Sequence, residues 1–136
     1  MDKPITSGLK TLFLIHAVVG LVFGLAYLVI PDTFAGWFNM PLGDLPIARM
    51  LGAAILGFTA SSILGYLAHE WREVRIIVQA EIAWTLLAAA ISLWFVLDGA
   101  WPVAGWVNFG LMALFFLGFT YFYWREQTMP VPRTAS

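Results

Sequence analysis

The sequence predicts an all-α membrane protein, an antiparallel bundle of four transmembrane helices with both termini on the cytoplasmic side and a short interfacial segment in the first outer loop. Three observations lead there. First, the 136 residues are 61% hydrophobic and only 11% charged. A water-facing domain carries about 25% charged residues, so most of this surface must face hydrocarbon. Second, four apolar stretches, at 9–30, 46–68, 74–97 and 102–124, each reach the roughly 20 helical residues that cross a bilayer core of about 30 Å. Third, the basic residues are distributed unevenly. Lys3, Lys10, Arg72, Arg75, Arg125 and Arg133 lie on one side of the spans and Arg49 alone lies near the other, which by the positive-inside rule places the termini in the cytoplasm. The expected setting is a multi-pass protein of a cell membrane, in one membrane domain covering 1–136.

The first span begins after Lys3 and Lys10 and stops at Pro31-Asp32. Its apolar run is longer than the 7–15 residues of a secretory signal core, so it reads as a retained helix. The outer loop that follows, PDTFAGWFNMPLGDL, is too apolar for a solvated loop. Phe34, Trp37, Phe38 and Met40 predict a short helix lying on the membrane or capping the bundle. Asp44 is placed to cap the second span, with Pro46 in its first turn. The inner loop His69-Glu70-Trp71-Arg72-Glu73 mixes signs and reads as a solvated hairpin; by residue type His69, Glu70 and Glu73 resemble a metal trio, but one imidazole with exposed carboxylates is a weak signal. Asp98-Gly99 makes the last outer turn and Pro102 opens the fourth span.

Helix association in lipid depends on close backbone packing. Gly20 and Gly24 provide it in the first span. In the second, Ala53, Gly57, Ser61 and Gly65 recur every four residues and read as one smooth ridge that makes this the most enclosed helix. Internal packing of the bundle and a homo-oligomer seam are both open to such a ridge.

Ionisable groups at membrane depth are costly and therefore functional candidates. His16 and Glu81 each lie about seven residues, roughly 10 Å, from the cytoplasmic end of their spans. Ser61, Ser62 and Thr120 lie at similar depth, so the sequence predicts a polar layer with His16 and Glu81 as partners. It would serve as a ligand or proton site, or as a hydrogen-bonded pair that fixes bundle register; a third reading has Glu81 reaching to the interface. Near the other face, Arg49 is expected to pair with Asp98 or Asp44, with an anion site as the alternative. Asn108 reads as an interhelical hydrogen bonder.

Absences narrow the function. There are no cysteines, hence no disulfide, thiolate metal site or cysteine nucleophile. Net charge is −1, without the clustered basic residues that nucleic acid requires. No serine-hydrolase, zinc-protease or phosphate-loop motif occurs, so no catalytic residue and no metal are assigned. The leading expectation is a non-enzymatic structural, accessory or regulatory protein whose partners are the bilayer and either further copies of itself or a larger membrane complex. A small transporter or ligand-binding bundle using His16 and Glu81 is the first alternative. A quinone- or porphyrin-binding subunit, with His16 as the axial ligand, is the second; no cofactor is otherwise expected.

The stretch PLGDLPIARMLGAAILGFTASSILGYLA at 41–68, with Arg49, Gly52 and Gly57 in an Arg-x-x-Gly-x-x-x-x-Gly pattern, resembles small bacterial and archaeal four-helix membrane proteins of the DoxX-like kind. The resemblance covers mainly the first two spans. It implies an architecture and no catalytic residue or cofactor.

Overall fold

The computed structural model describes residues 3–101 and 103–129, so the expectations placed on Pro102 and Arg133 lie outside the described residues. Among these residues the protein is all-α, with five helices: α1 (Ser7–Val29), α2 (Pro31–Trp37), α3 (Leu45–Leu67), α4 (Trp71–Leu97) and α5 (Val103–Thr128). α1, α3, α4 and α5 are 23 to 27 residues long and apolar enough to cross a membrane. At 1.5 Å per residue the shortest spans about 34 Å. Large apolar side chains cover the outside, among them Val18, Val22, Ile47, Met50, Leu87 and Leu114. A continuous apolar exterior of this kind is stable only against lipid; the chain is a multi-pass membrane protein.

Local chemistry sets the helix ends. Thr6 caps α1 by accepting the Leu9 N–H at 3.5 Å, and the Asp44 carboxylate caps α3 by accepting the Ile47 N–H at 2.9 Å. Glu73 Oε2 accepts the N–H groups of His69 and Glu70 at 2.9 and 3.0 Å, which folds the 69–73 segment into the start of α4. His69, Glu70 and Glu73 do not gather as a metal trio. Past the end of α4, Gly99 adopts φ 79°, a left-handed conformation that suits glycine. α5 runs on to Thr128, four residues beyond the sequence-predicted span, because Glu126 is anchored from the N-terminal segment.

Two helix pairs make up the bundle. α1 packs tightly on α3 and α4 on α5, whereas α1 touches α5 and α3 touches α4 more lightly. α1 and α4 therefore face each other across the diagonal. The α1–α3 seam is built on glycine. A Cβ on Gly52 would meet the Leu28 backbone N at 2.6 Å and the Gly24 carbonyl O at 2.8 Å, and one on Gly65 would meet the Phe13 ring at 2.7 Å. The expected ridge does not form: Ala53 and Gly57 are exposed, and among the described residues nothing lies within 4 Å of where a Cβ on Gly57 would stand. The buried face of α3 is instead Ala48, Gly52, Thr59, Ser62 and Gly65. A ladder of fours advances 400° per step, so from 53 to 65 it drifts by about 120° and cannot stay on one face. Nor is α3 more enclosed than its neighbours, since the four spans are buried to the same extent.

The core is one-sided. Ile5, Leu9, Phe13, Trp71, Val74, Val78, Phe115 and Phe119 form a dry cluster toward the end that carries the termini. There the N-terminal segment is fastened to the α3–α4 turn and to α5. Ile5 N donates to His69 O at 3.1 Å and Trp71 N to Lys3 O at 2.8 Å; Lys3 Nζ lies 3.0 Å from Glu126 Oε2, and Thr6 N donates to Glu126 Oε1 at 3.1 Å.

Candidate functional site: a polar cluster at the floor of an apolar chamber

The apolar periodicity of α1 and α4 brings two ionisable residues inward. Leu9, Phe13, His16, Gly20 and Gly24 share the buried face of α1; Trp71, Val74, Val78, Glu81, Thr85 and Ser92 share that of α4. The spacings among these residues are three or four, with one gap of seven between Thr85 and Ser92, as one inward face requires. His16 and Glu81 thus point toward each other from diagonal helices and stop 3.7 Å apart, Nδ1 to Oε1. Ser62 of α3 bridges them. Its Oγ lies 2.8 Å from His16 Nδ1 and donates to Glu81 Oε1 at 3.1 Å. Ser61 is the fourth member. Its hydroxyl donates to the Phe58 carbonyl at 2.7 Å and also lies 3.2 Å from Glu81 Oε1. Glu81, Ser62 and Thr85 are fully buried and His16 nearly so.

The cluster has open ends. Glu81 Oε2 is buried without a hydrogen-bond partner among the described residues. His16 Nε2 has none among the described residues, and the edge of the ring rests on Phe115 and Phe119 at centroid distances of 4.6 and 5.4 Å. A pair that served only to fix register would close its bonds, because each unmet buried polar atom costs about 1–3 kcal/mol.

On the side of His16 away from the dry core lies a cavity of about 460 Å³, within the size range of small-molecule sites. It lies between the two helix pairs and is lined from both. α1 lines it from His16 through Gly20 and Phe23 to Tyr27, a length of about 17 Å along the helix axis. Leu51, Ile55 and Phe58 of α3 form a second wall, Trp84, Ala88 and Ser92 of α4 a third, and Ala104, Asn108 and Phe115 of α5 a fourth. Phe34 of α2, with Phe38, Met40 and Trp101, covers the end opposite His16, and the cavity as a whole stays partly open. The sequence-predicted interfacial helix is therefore a plug. Phe34 is 5% exposed and its ring packs edge-on to Phe23, Tyr27 and Phe38. Polar groups are few within these walls: His16, Tyr27, Ser92 and Asn108, with the indole N–H groups of Trp84 and Trp101; Asn108 Nδ2 donates to Ser92 Oγ at 2.6 Å.

The other sequence-derived candidates fall elsewhere. Thr120 is exposed on the outside of α5 and takes no part in the polar cluster; it lies four residues from Phe116 but one from buried Phe119, on the wrong side of the helix. Arg49 is exposed and forms no ion pair with Asp44 or Asp98 among the described residues. Asp44 is occupied in capping α3, and Asp98 is exposed at the end of α4. Gly20 faces Thr59 and Gly24 faces Leu56 and Gly52 across the α1–α3 seam.

Two features carry little sequence signal. Glu126, in the run Trp-Arg-Glu-Gln, reads as an ordinary solvated helix end, yet it is 1% exposed. The chamber itself depends on how far two helix pairs separate, which periodicity does not encode. Trp84 is the clue that was available. Other tryptophans such as Trp37, Trp71, Trp101 and Trp124 fit interfacial belts, whereas Trp84 lies mid-span, stacked on Phe58 at 5.1 Å and 13°. Compared with known protein families, with characterised proteins and with solved structures, the chain matches none.

Proposed function

We propose that this protein is a small ligand-binding membrane bundle that holds an apolar, uncharged molecule in the chamber between its helix pairs, with the His16–Ser62–Glu81 cluster as the polar end of the site. The observation that carries this reading is the 460 Å³ cavity with aromatic walls, a plug at one end and a partly unsatisfied polar cluster at the other. Apolar walls with a few convergent polar groups are the general character of small-molecule sites, and ionisable groups at membrane depth mark such sites more often than they serve packing. A purely structural or accessory bundle needs no such space, because interiors otherwise close to near-crystalline density. The small-residue seam supports internal packing rather than a homo-oligomer, since its glycines meet α1 side chains and backbone. The DoxX-like resemblance at Arg49, Gly52 and Gly57 fits the architecture and adds no activity.

In this reading both termini lie in the cytoplasm of a prokaryotic cell and the plug faces outward, because six of the seven basic residues lie on the side of the termini. Native mass spectrometry of the gently purified protein tests the binding. A bound molecule of a few hundred daltons, lost when Ala88→Phe fills the chamber, is the expected result. A bare chain in both cases contradicts it.

A further inference from the structure

The hydrogen-bond chain at the chamber floor has a direction, and the direction selects a ligand. Ser62 has one hydroxyl proton, which it donates to Glu81 Oε1 at 3.1 Å. Toward His16, 2.8 Å away, Ser62 can then only accept, and with Glu81 as the acceptor of the chain the imidazole proton is placed on Nδ1. In a neutral imidazole this leaves Nε2 as a bare acceptor. Nε2 has no partner among the described residues, and the ring lines the chamber. The nearest aromatic neighbours, Phe115 and Phe119, offer ring edges and no polar donor. The ligand therefore has to bring the missing N–H or O–H.

Resting on the chamber reading, we infer that the site takes a hydroxyl-bearing lipophile, a molecule of the class of isoprenoid or long-chain alcohols and phenols, whose O–H donates to His16 Nε2 while its hydrocarbon body lies along α1 toward Tyr27. The roughly 17 Å between His16 and Tyr27 accommodates an extended chain of about a dozen bonds. Phe23, Phe58 and Trp84 provide the apolar contact surface, and among the described residues no Lys, Arg, Asp or Glu lines the cavity, which disfavours phosphorylated or carboxylated forms. A carbonyl or ether in place of the hydroxyl would bring a lone pair against a lone pair. Ser62 and Glu81 are positioning residues: they touch no ligand and act by fixing which nitrogen of His16 holds the proton.

Binding of farnesol, its methyl ether and its aldehyde farnesal to the full chain in nanodiscs, against protein-free nanodiscs, tests this. Farnesol is expected to bind about tenfold more tightly than either analogue, the size of one well-made hydrogen bond at a buried group. In Ser62→Ala the ring is no longer fixed in one tautomer, and in His16→Phe the acceptor is gone. Both variants are expected to retain binding but lose the preference, and a thermal transition equal to wild type in either one shows that folding is not the cause. If all three probes bind alike and Ala88→Phe abolishes binding, the chamber reading stands and the hydroxyl inference is overturned. Preference for farnesal overturns it as well, because the chain would then run from Glu81 through Ser62 to a donating Nε2. Binding of none of the probes overturns the inference independently of the mass-spectrometric result for the chamber.

Discussion

His16 and Glu81 were legible from depth alone: each is about two turns inside its span, and an unpaired carboxyl in lipid is expensive enough to force an inward position. Which neighbour joins them was not legible. Ser61, Ser62 and Thr120 are matched in depth, and only rotation about the helix axis separates them; Ser62 faces in while Thr120 faces out. Arg49 fails for a related reason, since proximity in depth to Asp44 says nothing about which way either side chain points. Glu126 shows the reverse case, a residue of ordinary context made special by the Lys3 and Thr6 segment folding back onto it. This contact makes a direct prediction. Lys3→Ala and Glu126→Gln are each expected to destabilise the protein by about 1–3 kcal/mol, and the double variant by less than their sum, with a coupling of about 0.5–3 kcal/mol. Additive losses in a thermal-unfolding cycle would show the two side chains to be independent.

At the level of elements, length and hydropathy located all four spans to within a few residues, because the thickness of a bilayer leaves little freedom. The interfacial segment was equally legible from Phe34, Trp37, Phe38 and Met40, although its role as the plug of a cavity was not. The packing face of α3 was misread because a four-residue ladder looks continuous in sequence and winds about the helix in space. The seam gives a paired prediction. Gly52→Val is expected to cost about 1–3 kcal/mol or more, because its Cβ would lie 2.6 Å from the Leu28 backbone N and backbone cannot swing aside. Gly57→Leu, on an open face, is expected to change stability by no more than about 0.5 kcal/mol. Melting temperatures in detergent check both; the opposite ranking would return the seam to the Ala53–Gly57 face.

At the scale of the whole molecule, the two ends of the bundle are built differently. The end that carries the termini is tied by Lys3, Thr6, Glu126 and the α3–α4 turn over an apolar, partly aromatic core, whereas the other end holds the cavity beneath α2. Any opening of the chamber is therefore expected at the α2 end, where fewer hydrogen bonds hold the elements together. Orientation belongs to this scale too. Reporter fusions after the last residue and at Gly43 are expected to give cytoplasmic and external signals respectively, and exchanged signals would invert the topology. The chamber itself is tested most directly by nuclear Overhauser contacts between bound farnesol and the protein in nanodiscs. Contacts from the probe to both the Trp84 indole and the His16 ring, the two side chains that a ligand in the chamber touches together, are the expected result. Contacts confined to lipid-facing side chains such as Trp94 and Trp106 would show that no molecule enters between the helix pairs.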